Sequence, residues 1–177
     1  GDLSKVKNET NETRNAGVSS DTLIFDSSIQ ICCYNYCMKK TIRVVGCVMQ
    51  HEDKILLLLR SAKETDPSLW GIPAGKVEKD ESDVEAVIRE VHEETGIQLK
   101  EADLENIGHL PIEYDTFIVD FPMFHVNFDQ RPDVVLAPRE HIDLQWVSPR
   151  KALELPELMK DVDVIIEKFC IEKLNIK

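Results

Sequence analysis

A chain of 177 residues with 42% hydrophobic and 31% charged residues has the length and balance of one globular domain with a real core. Its formal net charge of −12 excludes recruitment of nucleic acid by a basic surface, although an acidic protein can still hold phosphates through a bridging cation. No apolar run reaches the length of a membrane span, Ile55 to Leu59 being far too short.

Residues 1 to about 20 are polar and read as a flexible tail, and Thr22 to Phe25 and Ile29 to Tyr36 could form short strands. Met38-Lys39-Lys40 reads as a natural start, so residues 1–37 are expected to be a partly disordered N-terminal extension and 38–177 the folded domain. The five cysteines, Cys32, Cys33, Cys37, Cys47 and Cys170, are odd in number and follow no secretory apolar segment. Reduced thiols in a cytoplasmic setting are expected. Cys32, Cys33 and Cys37 lack a second cysteine pair or a nearby histidine, so they read as ordinary thiols and not as a metal cluster.

From Thr41 the pattern firms. Thr41 to Gln50 and Lys54 to Arg60 read as strands of a hairpin turning at His51 to Asp53, the second apolar on both faces. Ser61 to Ser68 is a polar loop, and Trp70 to Pro73 extends the chain toward Gly75, with Pro73 fixing the backbone before it. A helix follows, capped by Ser82 or Asp83 and stopped by Gly96. Leu104 to Leu110 and Phe117 to Asn127 read as strands that Pro111 and Pro122 should confine to edges or bulges. After a loop from Asp129 to Glu140, Ile142 to Val147 is another strand. Ser148-Pro149 opens a turn of helix. Leu155 to Ile171 is expected to close the chain as one amphipathic helix, with Leu158, Val162, Ile165, Ile166 and Phe169 at helical spacing. One central and one late helix on opposite faces of the strands give an α/β class, an α/β/α sandwich on a central mixed sheet.

The chemistry concentrates on the central helix. Glu90, Glu93 and Glu94 fall within about a 100° arc, because i, i+3 and i+4 share a face. Val84, Val87, Ile88 and Val91 form the neighbouring stripe that packs on a sheet. Like charges at this spacing repel, and a hard divalent cation accepting several carboxylate oxygens would compensate them. The alternative is a solvated acidic face. Arg89 points to a different side from the cluster's centre but can reach a carboxylate and hold it.

The stretch resembles the Nudix box, G-x5-E-x7-R-E-U-x-E-E-x-G-U with U aliphatic, through Gly75, Glu81, Arg89, Glu90, Val91, Glu93, Glu94, Gly96 and Ile97. Leu69 to Ala74 resembles the usual lead-in, and the resemblance covers about residues 40 to 170. It implies a Nudix-type sandwich and a hydrolase acting on phosphoric anhydrides. The reaction implied is metal-dependent cleavage of a diphosphate bond in a nucleoside diphosphate linked to another moiety, by water attack at phosphorus. By the same resemblance Glu93 and Glu94 are metal ligands, Glu90 is a ligand or water-activating carboxylate, and Arg89 orients the cluster. The carbonyl of Ala74 often joins the metal shell in the family. Gly75 lets the backbone approach substrate, Glu81 supports the loop–helix junction, and Gly96 ends the helix.

Many family members add a later glutamate. Glu140 is the candidate here, against an ordinary loop glutamate, and Trp70 either packs its loop or stacks on a base. Pro111 and Tyr114 lie near positions that mark different subfamilies and together favour none. The resemblance implies Mg²⁺, with Mn²⁺ as the substitute, and a small nucleotide-type substrate. No membrane and no stable nucleic-acid partner are expected, and a homodimer is left open. The competing reading is a non-catalytic Nudix domain that senses a nucleotide, against which the complete set of carboxylates counts.

Overall fold

The structure, a computed structural model, describes residues 39–63 and 67–177. The expected strands at Thr22 to Phe25 and Ile29 to Tyr36, and Cys32, Cys33 and Cys37, lie outside the described residues.

Along β1 (Lys40–His51) both parities are apolar, and a strand of that kind needs cover on both faces. Val45, Cys47 and Met49 join Leu56 and Leu58 of β2 (Lys54–Arg60) beneath helix α1 (Asp83–Thr95), which contributes Ala86, Val87 and Val91. Val48 with Ile55 and Leu57 faces the other way, onto Val162, Ile165, Ile166 and Phe169. Two cores therefore lie on opposite sides of one sheet, which is the expected α/β/α sandwich.

The sheet has seven strands in the order β3-β2-β1-β6-β5, with β4 on β1 and β7 on β2. Here β3 is Trp70–Gly71, β4 Ala74–Lys76, β5 Glu105–Glu113, β6 Phe117–Phe128 and β7 His141–Val147. β1 and β6 run parallel and the other pairs antiparallel, so the sheet is mixed. β1 pairs with β2 only at their shared turn and then leaves it for β4, opposing Val44, Val45 and Gly46 to Lys76, Gly75 and Ala74. This splayed hairpin brings the glycine loop into the sheet.

Three expectations need correction. Pro122 does not confine β6 to an edge, since β6 lies between β1 and β5. The ladder to β1 instead skips Phe121 and Pro122, resuming in the same register at Met123, because proline has no N–H to give. Pro111 does sit in the edge strand β5. His51, expected in the turn, is the last residue of β1.

The closing helix is also shorter than Leu155 to Ile171. After α2 (Pro149–Ala152), residues 155–161 run beside β3: the Trp70 N–H donates to Glu157 O at 2.7 Å and the Met159 N–H to Trp70 O at 2.9 Å. Asp161, at φ 67°, turns the chain before α3 (Val162–Ile165), which continues as a π-helix over Ile166–Lys173. Sheet-type pairing with Trp70 outcompetes the helical periodicity that Leu158 suggested. Among the described residues no helix is long and apolar enough to cross a membrane.

Candidate functional site

Helix α1 is fixed at both ends by its own sequence. The Ser82 hydroxyl accepts the Glu85 N–H while the Glu85 carboxylate accepts the Ser82 N–H, a reciprocal capping box. Gly96, at φ 72°, donates its N–H to His92 O and closes the last turn. Val87 and Val91 bury the neighbouring stripe and anchor the helix that carries the glutamates.

Arg89 is the hub of the loop–helix junction. Its Nε and Nη2 donate to the two oxygens of Glu81 at 2.8 and 2.9 Å. Nη1 donates to Glu90 at 2.7 Å and Glu93 at 3.2 Å, and Nη2 also reaches Lys76 O at 2.9 Å. One planar guanidinium thus fixes three carboxylates and the loop backbone, which lysine's single ammonium could not do. The Arg89 bonds, joined by the Glu78 N–H, hold the Glu81 carboxyl down at about 2.

Glu90 and Glu94 live under the opposite regime. Burial pushes the Glu90 carboxyl up in spite of its bond to Arg89. The carboxylate lies directly over Gly75, where a Cβ would stand 1.9 Å from Glu90 Cδ, so only glycine leaves room for it. Glu94 is 4% exposed. Burial first, and the charge of Glu90 second, raise its carboxyl well above the ordinary range, against the pull of the Ala74 N–H, which donates to it at 3.1 Å.

The long loop is stitched to the end of α1. Val135 N–H donates to Thr95 O at 2.8 Å and Ala137 N–H to Glu94 O at 3.3 Å. His141 N–H then bonds Ala137 O at 2.9 Å, and Ser61 N–H bonds Glu140 O at 2.7 Å. These bonds deliver Glu140 and His141 to Glu94, where one donor atom of each lies within 4.8 Å of the others. His141 is 5% exposed, and burial, aided by the charge of Arg60, lowers its imidazole to about 4.

A cleft of about 420 Å³ opens here, lined by Arg60, Ala74, Gly75, Lys76, Glu90, Glu94, Glu140 and His141 among others. It adjoins a mostly apolar hollow of about 220 Å³ that shares Val44, Arg60, Ala74, Glu94 and His141. The hollow's far wall is formed by Ile112, Tyr114, Phe121, Met159, Lys160 and Asp161. The Tyr114 hydroxyl donates to Asp161 at 2.7 Å, and Lys160 Nζ sits 4.7 Å from the centre of the Tyr114 ring.

Of the residues singled out in the sequence, Ala74, Gly75, Glu90, Glu94 and Glu140 come together in the cleft. Glu93 does not line it. Its side chain is 54% exposed and bound to Arg89. Trp70 lines neither the cleft nor the hollow and packs against the core under the C-terminal segment. His141 was missed. Its one local signal is that it directly follows Glu140.

The donor set is what a hard divalent cation accepts: carboxylates brought together by burial, with ionisation disfavoured until positive charge arrives. The residues present therefore fit such an ion.

The family model described as NUDIX domain matches residues 40–169. The CTP pyrophosphohydrolase of Escherichia coli (strain K12) is 34% identical over 128 residues, covering 71% of this chain and 90% of that protein. Among solved structures, a MutT protein from Methanosarcina mazei Go1 superposes with a TM-score of 0.66 at 34% identity, covering 79% of this chain and 99% of that one. The E. coli ORF135 protein gives 0.62 at 32% identity, with 76% and 93% coverage.

Proposed function

The chain belongs to the Nudix hydrolase family, and from that premise we propose that it hydrolyses a diphosphate bond in a nucleoside diphosphate linked to another moiety, with Mg²⁺ or Mn²⁺ as cofactor. The observation that carries this reading is the convergence of Glu90, Glu94 and Glu140 in one cleft beside an apolar hollow. Glu90, Glu94, Glu140 and the Ala74 backbone would hold the ion, and Glu93 would act through Arg89. The chemistry a divalent cation held there would supply is neutralisation of diphosphate charge and acidification of the water that attacks phosphorus.

The chain's own residues do the positioning. Arg89 sets the rotamer of Glu90 and braces the loop through Glu81 and Lys76 O. Gly75 leaves room for the Glu90 carboxylate and for a phosphate approaching the backbone. The polar cleft takes the phosphates and the hollow takes the nucleoside or its partner moiety. A triphosphate such as the one acted on by the E. coli relative is a natural first substrate to test.

The catalytic unit in this reading is residues 38–177. Two free thiols, Cys47 and Cys170, buried in the two cores, support a reducing, cytoplasmic setting.

The test is a panel of nucleoside triphosphates, nucleotide sugars and dinucleoside polyphosphates with Mg²⁺, run in ¹⁸O-water. Released phosphate or monophosphate should carry the label and vanish on chelation. Saturable nucleotide binding without turnover would establish the sensing domain instead, and turnover surviving exhaustive chelation would remove the cation from the mechanism.

A further inference from the structure

We propose that His141 is a nitrogen ligand of the cation held by Glu94 and Glu140, biasing the site toward first-row transition ions such as Mn²⁺ and Co²⁺ over Mg²⁺. This rests on the metal-dependent reading above and adds to it a donor from outside the box.

Three observations converge. The His141 side chain is buried at 5% exposure, yet its Nδ1 has no hydrogen-bond partner. No hydrogen bond at Nδ1 tethers the buried ring, so what the imidazole engages it meets through its other nitrogen. The other ring nitrogen, Nε2, faces Glu94 Oε1 at 3.9 Å. That is too long for a hydrogen bond, which argues against His141 acting only as a brace for Glu94. It is within what one ion can span, since two donors each about 2.0–2.2 Å from a metal lie at most about 4.3 Å apart.

The backbone shows how the ring comes to face the cleft. Leu59 opposes Asp143 but Arg60 opposes His141, so β7 spends one more residue than β2 at this point. The extra residue is Ile142, left 57% exposed. A bulge of this kind re-aims the neighbouring side chain. Here an isoleucine goes to the outside and a histidine to the inside, the reverse of what transfer energies favour. The His141 N–H is spent on Ala137 O, which anchors the backbone while the ring is left to its ligand.

The chemical consequence follows from the donor set. Mg²⁺ takes oxygen almost exclusively, whereas an imidazole among carboxylates strengthens binding of the ions later in the first transition row.

The experiment is Mn²⁺ titration of the full chain and of His141→Gln, followed by electron paramagnetic resonance with pulsed detection of nitrogen coupling. Mg²⁺ affinity is read by competition. In the unsubstituted protein the bound Mn²⁺ should show coupling to a directly bonded ¹⁴N, changing to the ¹⁵N pattern when histidine is labelled. In His141→Gln that coupling should disappear and Mn²⁺ affinity should fall by about 10-fold or more. Mg²⁺ affinity should fall by less than about threefold, because the glutamine oxygen is a donor Mg²⁺ accepts. Should the variant fail to fold, the isotope-dependent coupling in the unsubstituted protein decides alone. Bound Mn²⁺ without nitrogen coupling, or equal losses for both ions, overturns the role of His141 and leaves the metal site standing. Failure of the unsubstituted protein to bind either ion overturns both.

Discussion

The two ends of the α1 carboxylate cluster obey different rules although the same residue type builds both. At the Arg89 end, Glu81, Glu90 and Glu93 share a guanidinium at the protein's edge, and Glu81 is held ionised far into acid. At the Glu94 end the carboxylate is buried and accepts a single neutral N–H, from Ala74, and its charged form is disfavoured. Charge at the first end is balanced by the chain. At the second, burial outweighs the pull of the Ala74 N–H and of Arg60. Helical spacing groups Glu90, Glu93 and Glu94 as equals, whereas burial and Arg89 set them apart, Glu93 exposed on Arg89, Glu94 buried, and Glu90 between them.

The comparison is sharpened most by Glu94→Gln, which keeps shape and removes charge. Turnover should fall by about 10²-fold or more, roughly 3 kcal/mol of transition-state stabilisation, measured with Mg²⁺ at saturating substrate. The metal-free melting temperature at neutral pH should stay level or rise. The sign follows from the raised carboxyl: the folded state holds its proton more tightly than the unfolded one, so the stability this group contributes is fully present in acid and is lost as pH rises through the folded value. A fall in melting temperature would show Glu94 to be a structural partner after all.

Gly75→Ala tests Glu90, which stands between the two ends, without touching a charge. Its Cβ must displace the Glu90 carboxylate, and a misplacement of that size should cost about 10- to 100-fold in turnover. A protein with unchanged kcat would mean that the position of Glu90 does not matter to the chemistry.

Arg89→Lys tests the other end. It keeps one charge but loses the fork, so turnover should fall by about 10-fold. Stability should fall by about 1–2 kcal/mol, the partial exposure of these groups limiting the cost. Denaturant unfolding would read it.

Smallest is Glu81→Gln, with a rate loss of about threefold set by slackening of a positioned group. Because the folded carboxyl lies near 2 and its ordinary value is 4.5, its contribution is present above 4.5 and lost as pH falls toward 2. The variant should therefore show a flatter loss of stability across that window in pH-dependent melting. An identical acid limb in both proteins would show that the Arg89 pairing adds no stability.

What was legible in the chain was what is local. The Ser82 and Gly96 stops, the Val87–Val91 stripe and the run from Lys54 to Arg60 each depend on neighbours a few residues away. What was not legible depends on pairing. β4 is a strand only because β1 abandons β2 to meet it, and Pro122 sits inside the sheet because the ladder to β1 skips Phe121 and Pro122. Residues 155–161 resemble helix until Trp70 offers its backbone. His141 looks like any polar residue at a strand start until a bulge turns it inward. Trp70, a natural base-stacking candidate by type, is occupied by the core.

The hollow beside the cleft draws its walls from all seven strands and the C-terminal segment, and only Glu94 from α1. The brace around Arg89 is by contrast packed into one continuous stretch, tying Lys76 O, Glu81, Glu90 and Glu93 together. The hollow's far wall and that brace thus come from different parts of the chain. On the proposed function, replacing Ile112, Tyr114 or Asp161 should change which molecule fits while the contacts of Arg89 stay as they are. A fold wired in this way lets one reaction be inherited intact while its customers change.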